Sequence, residues 1–575
     1  MEYSDIASRD DLALFLGVQR RHLTYVLYSK RVENCYRSFD IPKKNGEKRT
    51  INAPDKSLKP IQEKLACALW CHLVAVRKKR SVRPNISHAF EKRKSIITNA
   101  KVHRGKRFVF NVDLKDFFNC FNFGRVQGFF EKNEDFHLPK EVATVIAQLT
   151  CYQGHLPQGA PSSPIITNLI CQILDFRLLR VAKKYKLDYT RYADDLTFST
   201  NNCTFLNREK DFQKELREII ERAGFSINEK KTRLQIKDSR QVVTGLTVNK
   251  KLNVPREYRK NTRAMAHSLY TQEEFTVDGN AGTVDQLEGR FAYINQLDRH
   301  NNILAWKIES AAKISKSRKH KKRNYRDQAF NSREMEYRKF LFYKYFYNNE
   351  KPLIITEGKT DVVYLRAALK NLYLDYPNLI TKKQDGSFEY EVSFLKKTDR
   401  LKYFLGLDFG ADAMRNFYSH FTVEDRFIPN YLDYFKKVCP HSPNNPVMLF
   451  FDNEQETKRP LHEFISSVNL SEEKRGELKK DLQCKLIDNG NLFLVTHQLI
   501  KNKTECEIED LFKASVLNVR IEGKSFSRDA NADPEKNYGK TVFATYVANN
   551  YESISFDYFK PALNAIDKIV STYQA

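Results

Sequence analysis

Two adjacent aspartates, Asp194 and Asp195, interrupt an apolar, strand-prone stretch: Arg191-Tyr192-Ala193-Asp194-Asp195-Leu196-Thr197-Phe198-Ser199. Successive side chains on a strand point to opposite faces, so a single buried strand would drive one of the two acids into the core. A tight hairpin turn removes that cost by presenting both acids at its tip. Phe108-Val109-Phe110-Asn111-Val112-Asp113 is a second apolar strand that ends in an acid. Carboxylates collected at strand ends repel one another unless cations neutralise them, and Mg²⁺ takes hard oxygen ligands of this kind. In phosphoryl transfer, two such ions about 3.5–4 Å apart activate an attacking hydroxyl and stabilise the leaving oxygen. The pattern predicts a site of that class, with Asp113 and Asp194 as bridging ligands and Asp195 in support.

The charge balance points to a polyanionic partner. There are 97 Lys and Arg against 71 Asp and Glu, a formal charge of +26 over 575 residues. Lys and Arg gain affinity for phosphates through counterion release. The length calls for several domains. Ten cysteines lack any paired CxxC signature, a reduced, intracellular pattern. Cys67 and Cys71, one helical turn apart in an apolar run, read as core. The polar start Met1-Glu2-Tyr3-Ser4-Asp5 is unlike a secretory leader, and no apolar run of about 18 residues is present to span a bilayer. A cytoplasmic protein without membrane contact is expected.

Along the chain, residues 1 to about 40 read as helical. Asn45-Gly46, between extendable segments from Ile41 to Ile51, is a hairpin signal. A helix is predicted over about 58–78, and strands alternate with helices between 107 and 250, an α+β pattern. From 313 to 345 charge is dense, with Lys313, Lys316, Arg318, Lys319, Lys321, Lys322 and Arg323 followed by Phe342, Tyr343, Tyr345, Phe346 and Tyr347. That run fits a solvated linker and a nucleic-acid contact equally. Leu353-Ile354-Ile355-Thr356 then opens a new α/β unit. The expected boundaries are 1–250 for the first α+β body, 251–312 for a basic helical extension, 313–349 for a connecting segment and 350–575 for the second body.

Tyr192-Ala193-Asp194-Asp195 after an Asp-bearing strand resembles the palm of reverse transcriptases, and the companion motifs occur in that family's order. The resemblance implies a right-hand polymerase of fingers, palm and thumb, with Mg²⁺ as cofactor and deoxynucleoside triphosphates as substrates. Ile41 to Ile51 is similar to the fingers hairpin, where Arg49 and one of Lys43 or Lys44 would grip the triphosphate. Phe118 matches the bulky gate that clashes with a ribose 2′-OH. Leu156-Pro157-Gln158-Gly159-Ala160-Pro161 is similar to the motif beneath the nucleotide, with Gln158 near it. Gly224 to Thr232 resembles the next palm motif, with Lys231 near the leaving pyrophosphate. Residues 251–312 would form the thumb, whose Arg256, Arg259, Lys260 and Arg263 suit contact with a nucleic-acid backbone.

Asn99-Ala100-Lys101-Val102-His103 and Val243-Thr244-Gly245 resemble two signatures of retron reverse transcriptases. The resemblance implies that Asn99, His103, Val243, Thr244 and Gly245 serve recognition of the enzyme's own structured RNA. An ordinary structural role for these residues, in a core or a turn, stays open beside it. The family further implies self-priming from a guanosine 2′-OH in that noncoding RNA, giving branched multicopy single-stranded DNA (msDNA). Neither a C-terminal zinc-binding endonuclease pattern nor an RNase H constellation is apparent.

A second set of acids follows. Leu353-Ile354-Ile355-Thr356-Glu357-Gly358-Lys359-Thr360-Asp361 is a strand, a Gly turn and a helix start, and Val447-Met448-Leu449-Phe450-Phe451-Asp452-Asn453-Glu454 is another strand ending in acids. In an open parallel sheet chemistry collects at the carboxyl ends of strands, where Glu357, Asp452 and Glu454 would converge on Mg²⁺. The segment resembles a TOPRIM domain, shared by topoisomerases, primases and OLD-type nucleases. That likeness implies an α/β domain with a central, mostly parallel sheet. Glu357 would be the general acid or base, Asp452 and Glu454 the DxD-like pair, with Glu in place of the second Asp. Gly410 falls at the family's glycine turn. Glu509 or Asp510 would add a metal ligand, and Lys540 would neutralise transition-state charge.

Over nearly its whole length the chain thus resembles the retron class whose reverse transcriptase is fused to a C-terminal TOPRIM nuclease. The family implies anti-phage defence, with msDNA restraining a toxic effector as an antitoxin would. Two alternatives remain: an inert TOPRIM scaffold for msDNA or for homo-oligomerisation, and a mobile-element enzyme whose nuclease processes ends.

Overall fold

A computed structural model describes residues 3–42, 46–80, 86–312, 330–408, 410–423, 429–454, 456–500, 503–529 and 531–574. The chain forms two compact units, Met1–Tyr258 with Leu297–Ile308, and Arg259–Gln296 with Glu309–Ala575.

In the first unit, helix gives way to strand earlier than expected: β1 (Tyr36–Pro42) pairs antiparallel with β2 (Lys48–Pro54), Pro42 opposite Lys48. Gly46 takes a positive φ of 83° in the connection, and Asn45, the other residue of the hairpin signal, lies outside the described residues. The helix Lys59–Lys79 buries Ile61, Leu65, Leu69 and Leu73. That 4-residue series is one helix face. Cys67 and Cys71 lie off it and are exposed, which corrects their reading as core.

The centre of this unit is an antiparallel sheet, ordered β4-β5-β3-β6. Its strands are β3 (Phe108–Asp113), β4 (Asp188–Tyr192), β5 (Asp195–Thr200) and β6 (Arg233–Ile236). Phe108, Val109, Phe110 and Val112 are all buried, as an apolar run without alternation requires of a central strand covered on both faces. The helix Phe205–Arg222 covers one face, where Phe212 meets Phe110 and Phe198 at ring distances of 5.8 and 5.2 Å. The long helix Ser163–Lys184, almost wholly buried in its first half, packs beside it and against β4. A small hairpin follows, β7 (Val242–Val243) with β8 (Leu246–Thr247), turned by Thr244 and Gly245 at φ +45° and +80°. Two positive φ values match the right-handed twist of a two-residue hairpin.

The second unit holds a five-stranded sheet. Its strands are β9 (Leu353–Thr356), β10 (Ser393–Phe394), β11 (Val447–Phe450), β12 (Gln483–Lys485) and β13 (Leu492–Val495), in the order β10-β9-β11-β13-β12. All pairs are parallel except β12 with β13. β9 and β11 are buried along their whole length and carry acids just beyond their carboxyl ends. The helices Lys359–Asn371 and Lys540–Asn549 pack together, bringing distant chain segments to those ends.

The charged run from 313 to 329 lies outside the described residues. The aromatic stretch after it is structural: Phe340, Phe342, Tyr343, Phe346 and Tyr347 are fully buried in the helix Ser332–Phe342 and the turn that follows. Residues 259–296, from the segment expected as a thumb, share the second unit's apolar core through Ala266, Leu269, Tyr270, Leu287 and Phe291. Among the described residues no helix is long and apolar enough to cross a membrane.

Candidate active site

β4 and β5 are joined by a tight turn closed by Tyr192 opposite Asp195, with Ala193 at φ +56°. The turn places Asp194 at its tip and Asp195 at the first position of β5. On the other side of β5, Asp195 is the cross-strand partner of Asp113, the last residue of β3. The main chain seals the junction where Leu114 N donates to Asp194 O at 3.0 Å. Strand pairing alone therefore gathers three acids at one end of the sheet.

Charge repulsion is written into these carboxyls. Burial foremost, then Asp194 and Asp113, push Asp195 up to about 7. Asp194 is raised by burial and by Asp113, and held down in part by Lys231 and Arg49. Asp113 is the best-compensated member: Lys231 Nζ donates to its two oxygens at 3.0 and 3.2 Å, and Asn228 Nδ2 donates to Oδ2 at 3.0 Å. Lys231 thus sits on a metal-ligand candidate. Among the described residues no three His, Cys, Asp or Glu side chains stand in ligating geometry. The chemistry of the donor set nevertheless fits Mg²⁺: hard oxygens, crowded and under-neutralised.

The remaining expected nucleotide contacts are distributed around this end of the sheet. Lys43 and Lys44 lie outside the described residues. Arg49 is exposed on β2, and Phe118 is half-buried against Phe117. Gln158 carries a backbone link, its carbonyl accepting from Asn52 N at 2.7 Å. Gly159 beside it has φ +120°, and a Cβ there would meet Asn52 O at 2.7 Å. Only glycine lets this loop lie on β2.

Of the residues expected to recognise RNA, Asn99, His103 and Val243 are fully buried, so their side chains are not presented to a partner; the reason is packing. His103 bridges strands β4 and β5 through Thr190 Oγ1 and Ser199 Oγ, both at 2.7 Å, and burial pushes its imidazole down to about 3. Thr244 and Gly245 differ. With Asp113, Asp195, Lys231 and Arg233 they line an open cleft of about 350 Å³. Thr244 Oγ1 also donates to Ile96 O at 3.5 Å, tying its turn to the helix Ile96–Val102 that carries Asn99.

Sequence reasoning missed the anchor beneath the acids. Arg191 is fully buried and bidentate to Asp175, with Nε–Oδ1 and Nη2–Oδ2 both 2.8 Å. Tyr189 OH donates to the same carboxylate at 2.9 Å, and Arg191 Nη1 donates to the carbonyl of Ala193 at 3.3 Å. The left-handed Ala193 is thereby held from below. An arginine three residues ahead of two acids was the available signal; its partner lies on another element, beyond any local spacing.

In the second unit, Glu357 follows β9 and Asp452 lies just past β11. Burial and the nearby Asp452, Asp361 and Glu454 push Glu357 up to about 7. Glu357 Oε2 is buried without a hydrogen-bond partner, an orphaned oxygen that suits a cation. Asp452 Oδ1 accepts from Ile508 N at 2.9 Å. Glu454 is held 3.4 Å from Arg459, which also grips Glu505 at 2.8 Å. Between the two later acids the structure discriminates. Asp510 is neutralised by Arg528 and Lys503 at 2.6 and 2.8 Å. Glu509 is fully buried, is pushed up to about 7 by burial and Asp452, and meets Lys540 Nζ at 3.2 Å. Lys540 also pairs with Glu507 at 3.0 Å. Gly410 has φ +92° at the start of the helix Ala411–Thr422. Two further groups join this cluster. Asp361 caps its helix by accepting from Gly358 N at 2.7 Å. Lys397, pushed down to about 8 chiefly by burial, donates to the Glu357 carbonyl at 3.3 Å. Asp361 falls four residues after Glu357, a legible helix-start spacing; Lys397 has no sequence signal.

Comparison with known proteins agrees with the first unit's geometry. Residues 41–263 match the reverse transcriptase (RNA-dependent DNA polymerase) family. The chain is 34% identical to the retron Ec86 reverse transcriptase of Escherichia coli over 287 residues, 49% of this chain and 83% of that protein. It is 34% identical to the retron Mx65 reverse transcriptase of Myxococcus xanthus over 309 residues, 51% of this chain and 68% of that protein. A solved telomerase from Candida albicans, in complex with a fragment of telomeric RNA, aligns at 13% identity over 45% of this chain and 54% of its own, with a TM-score of 0.31. At that score the likeness adds nothing to the assignment.

Proposed function

This chain belongs to the retron reverse transcriptases, and from that premise we propose that its RNA-directed DNA synthesis is carried by Asp113, Asp194 and Asp195 and primed from a 2′-OH of its own noncoding RNA. The observation that supports the site is the cross-strand pairing of Asp113 with Asp195 beside the Asp194 turn. The family generally uses Mg²⁺, and these three carboxylates would hold it. When bound, the metal activates the attacking hydroxyl and stabilises the leaving oxygen. The protein's own part is positioning. Arg49 presents a guanidinium to the incoming triphosphate, and its field already reaches Asp194. Phe118 blocks the ribose 2′-OH of the incoming nucleotide. Lys231 releases Asp113 as the site loads and meets the departing pyrophosphate. The cleft joining Asp113 and Asp195 to the Thr244-Gly245 turn receives the priming strand. Purified protein tests this directly. Its bound nucleic acid should be a branched RNA–DNA whose DNA is freed by debranching enzyme, and Asp194→Asn with Asp195→Asn should abolish it. DNA that needs no debranching would refute self-priming while leaving the polymerase intact.

For the second unit we propose a Mg²⁺-dependent, TOPRIM-like nuclease acting as an anti-phage effector under the control of the msDNA. The support is the orphaned Glu357 oxygen near Asp361, Asp452 and Glu454 at the carboxyl ends of parallel strands, with Glu509 beside Asp452. Glu357, Asp452, Glu454 and Glu509 would hold the metal, and Lys540 would face the scissile phosphate. The scaffold alternative draws on Arg459, which engages Glu454 as the structure stands. Glu357→Ala decides between them: toxicity and phage protection are lost under the first reading and persist under the second.

A further inference from the structure

One edge of the second unit carries a row of cations laid on aromatic rings. The helix Lys359–Asn371 supplies Arg366 and Lys370, four residues apart and therefore on one face. The hairpin that pairs Ile380–Lys382 with Phe388–Tyr390 supplies Lys382. The Arg366 guanidinium stands 5.1 Å from the ring centre of Phe394 and 5.6 Å from that of Tyr390. Lys370 Nζ is 5.2 Å from the Tyr551 ring and 5.8 Å from Phe388. Lys382 Nζ is 5.6 Å from Phe388 and 5.3 Å from Tyr373. Arg366 and Lys382 are exposed and Lys370 is half-buried, so the rings hold the stems and the charge lies at the surface.

Strand alternation keeps the neighbouring acids away from this row. Lys382 and Phe388 are cross-strand partners, and Tyr390, two residues on, shares their face of the hairpin. Glu389 falls on the other face, where Lys383 meets it at 2.8 Å, and Lys351 meets Glu391 at 3.3 Å. Among the described residues Arg366, Lys370 and Lys382 have no carboxylate partner. Like charges four residues apart on a helix repel one another, and a ring face does not neutralise a cation as a carboxylate would. Side chains already extended along rings also lose less freedom when an anion arrives.

The row ends at the second acid cluster. Phe394 closes the edge strand β10, and three residues on, Lys397 donates to the Glu357 carbonyl at 3.3 Å. Three residues of extended chain span at most about 10 Å. Asp361 of the cluster opens the helix that carries Arg366, which lies about 7.5 Å farther along its axis. We propose that Arg366, Lys370 and Lys382 bind successive phosphates of a nucleic-acid strand and lead it to the Glu357 site. Phosphates repeat along one backbone as these cations repeat along one edge, and the guanidinium can take a phosphate bidentately. DNA and RNA, single or paired, share that backbone. The destination rests on the nuclease reading above; the binding does not.

Photocrosslinking of the full-length protein, freed of co-purified nucleic acid in high salt, tests the proposal. The probes are single-stranded DNA carrying 4-thiothymidine, single-stranded RNA carrying 4-thiouridine, and the DNA paired with its complement, all in EDTA so that none is cut. Label is expected on the peptide containing Phe388, Tyr390 and Phe394 or on that containing Tyr551, and the probe that labels most identifies the kind of strand. Arg366→Gln with Lys370→Gln and Lys382→Gln should cut this label at least tenfold. Lys370→Arg with Lys382→Arg keeps the charge and should keep the label. In the parent protein the affinity behind this label should fall with salt at a log–log slope of about 2–3, as three phosphate contacts require. Absence of label from both peptides, parental label indifferent to salt, or label unchanged in the Gln variant at unchanged melting temperature overturns the proposal. Cleavage of these strands in Mg²⁺ without label at this edge also overturns it and leaves the nuclease reading standing. Label without cleavage by the parent leaves the track standing and removes the nuclease reading.

Discussion

Asp113 and Asp195 face each other across the antiparallel pairing of β3 with β5, so two carboxylates 82 positions apart become neighbours through backbone hydrogen bonding alone. The sheet is stable enough to hold them there although burial and mutual repulsion push Asp195 up to about 7. Strain of this kind at a strand end is what a metal-binding site carries when it is empty of charge compensation.

Asp195→Asn removes one of the three repelling charges. DNA synthesis should fall by at least about a thousandfold, as expected when a charge-stabilising group at the reacting centre is lost. In EDTA at pH 8 the same variant should melt at a higher temperature than the parent, by an amount on the order of 1 kcal/mol or more. The sign follows from the raised carboxyl: its cost is absent below pH 4 and grows as pH rises through about 7. Primer extension and thermal denaturation in EDTA provide the two readouts, and a destabilised Asn variant at pH 8 would contradict the repulsion argument.

Arg191→Met leaves Asp175 buried without its bidentate partner. Stability should drop by about 3–5 kcal/mol, the range for breaking a buried ion pair from one side. Arg191→Met with Asp175→Leu should recover most of it, because no uncompensated charge remains. Polymerase activity of the double variant should stay low, since the Ala193 carbonyl has lost its donor. Chemical denaturation of the single and paired variants measures the coupling.

His103 is neutral and buried between Thr190 and Ser199. Its imidazole sits at about 3, below the ordinary value near 6.5, so the unfolded chain binds a proton that the folded one refuses. Stability is therefore full above pH 6.5 and declines as pH falls toward 3, by up to ~1.4 kcal/mol per pH unit. His103→Gln should flatten the melting profile between pH 6.5 and 4.5. An unchanged slope would mean that other groups govern acid sensitivity.

Gly159→Ala adds a methyl 2.7 Å from Asn52 O at φ +120°. The loop must leave β2, taking Gln158 with it. The expected result is a KM for deoxynucleotides raised by about tenfold or more with little change in DNA binding, read by steady-state extension.

Lys540→Met strands Glu509, which is fully buried. Nuclease activity should vanish and the second unit should lose about 2–4 kcal/mol, while Lys540→Met with Glu509→Gln should regain stability without regaining activity. Extension of a primed template, assayed in parallel, should be unchanged.

The local pattern of the chain was enough for the polymerase palm. Apolar strands ending in acids and a turn-forming acid pair are each visible within a few residues, because strand alternation and turn chemistry act at that range; the close approach of Gly159 to Asn52 is not. The same was true of the second sheet, whose β9 and β11 announce themselves as buried apolar runs. What those patterns did not reach was charge compensation. Arg191 with Asp175, Lys231 with Asp113 and Lys397 beside Glu357 are pairs between elements 16 to 118 positions apart, chosen by packing. Burial was likewise undecided by sequence. Asn99 and His103 read foremost as RNA-recognition residues and are buried, and the aromatic stretch from Phe340 to Tyr347 followed a charged run yet became the second unit's interior. Which strand ends hold acids was determined by the sequence alone, since each depends only on neighbours in the chain. Which acids are neutralised, and which are left needing a cation, was decided by tertiary structure, because electrostatic energy depends on distance in space and on exclusion of water.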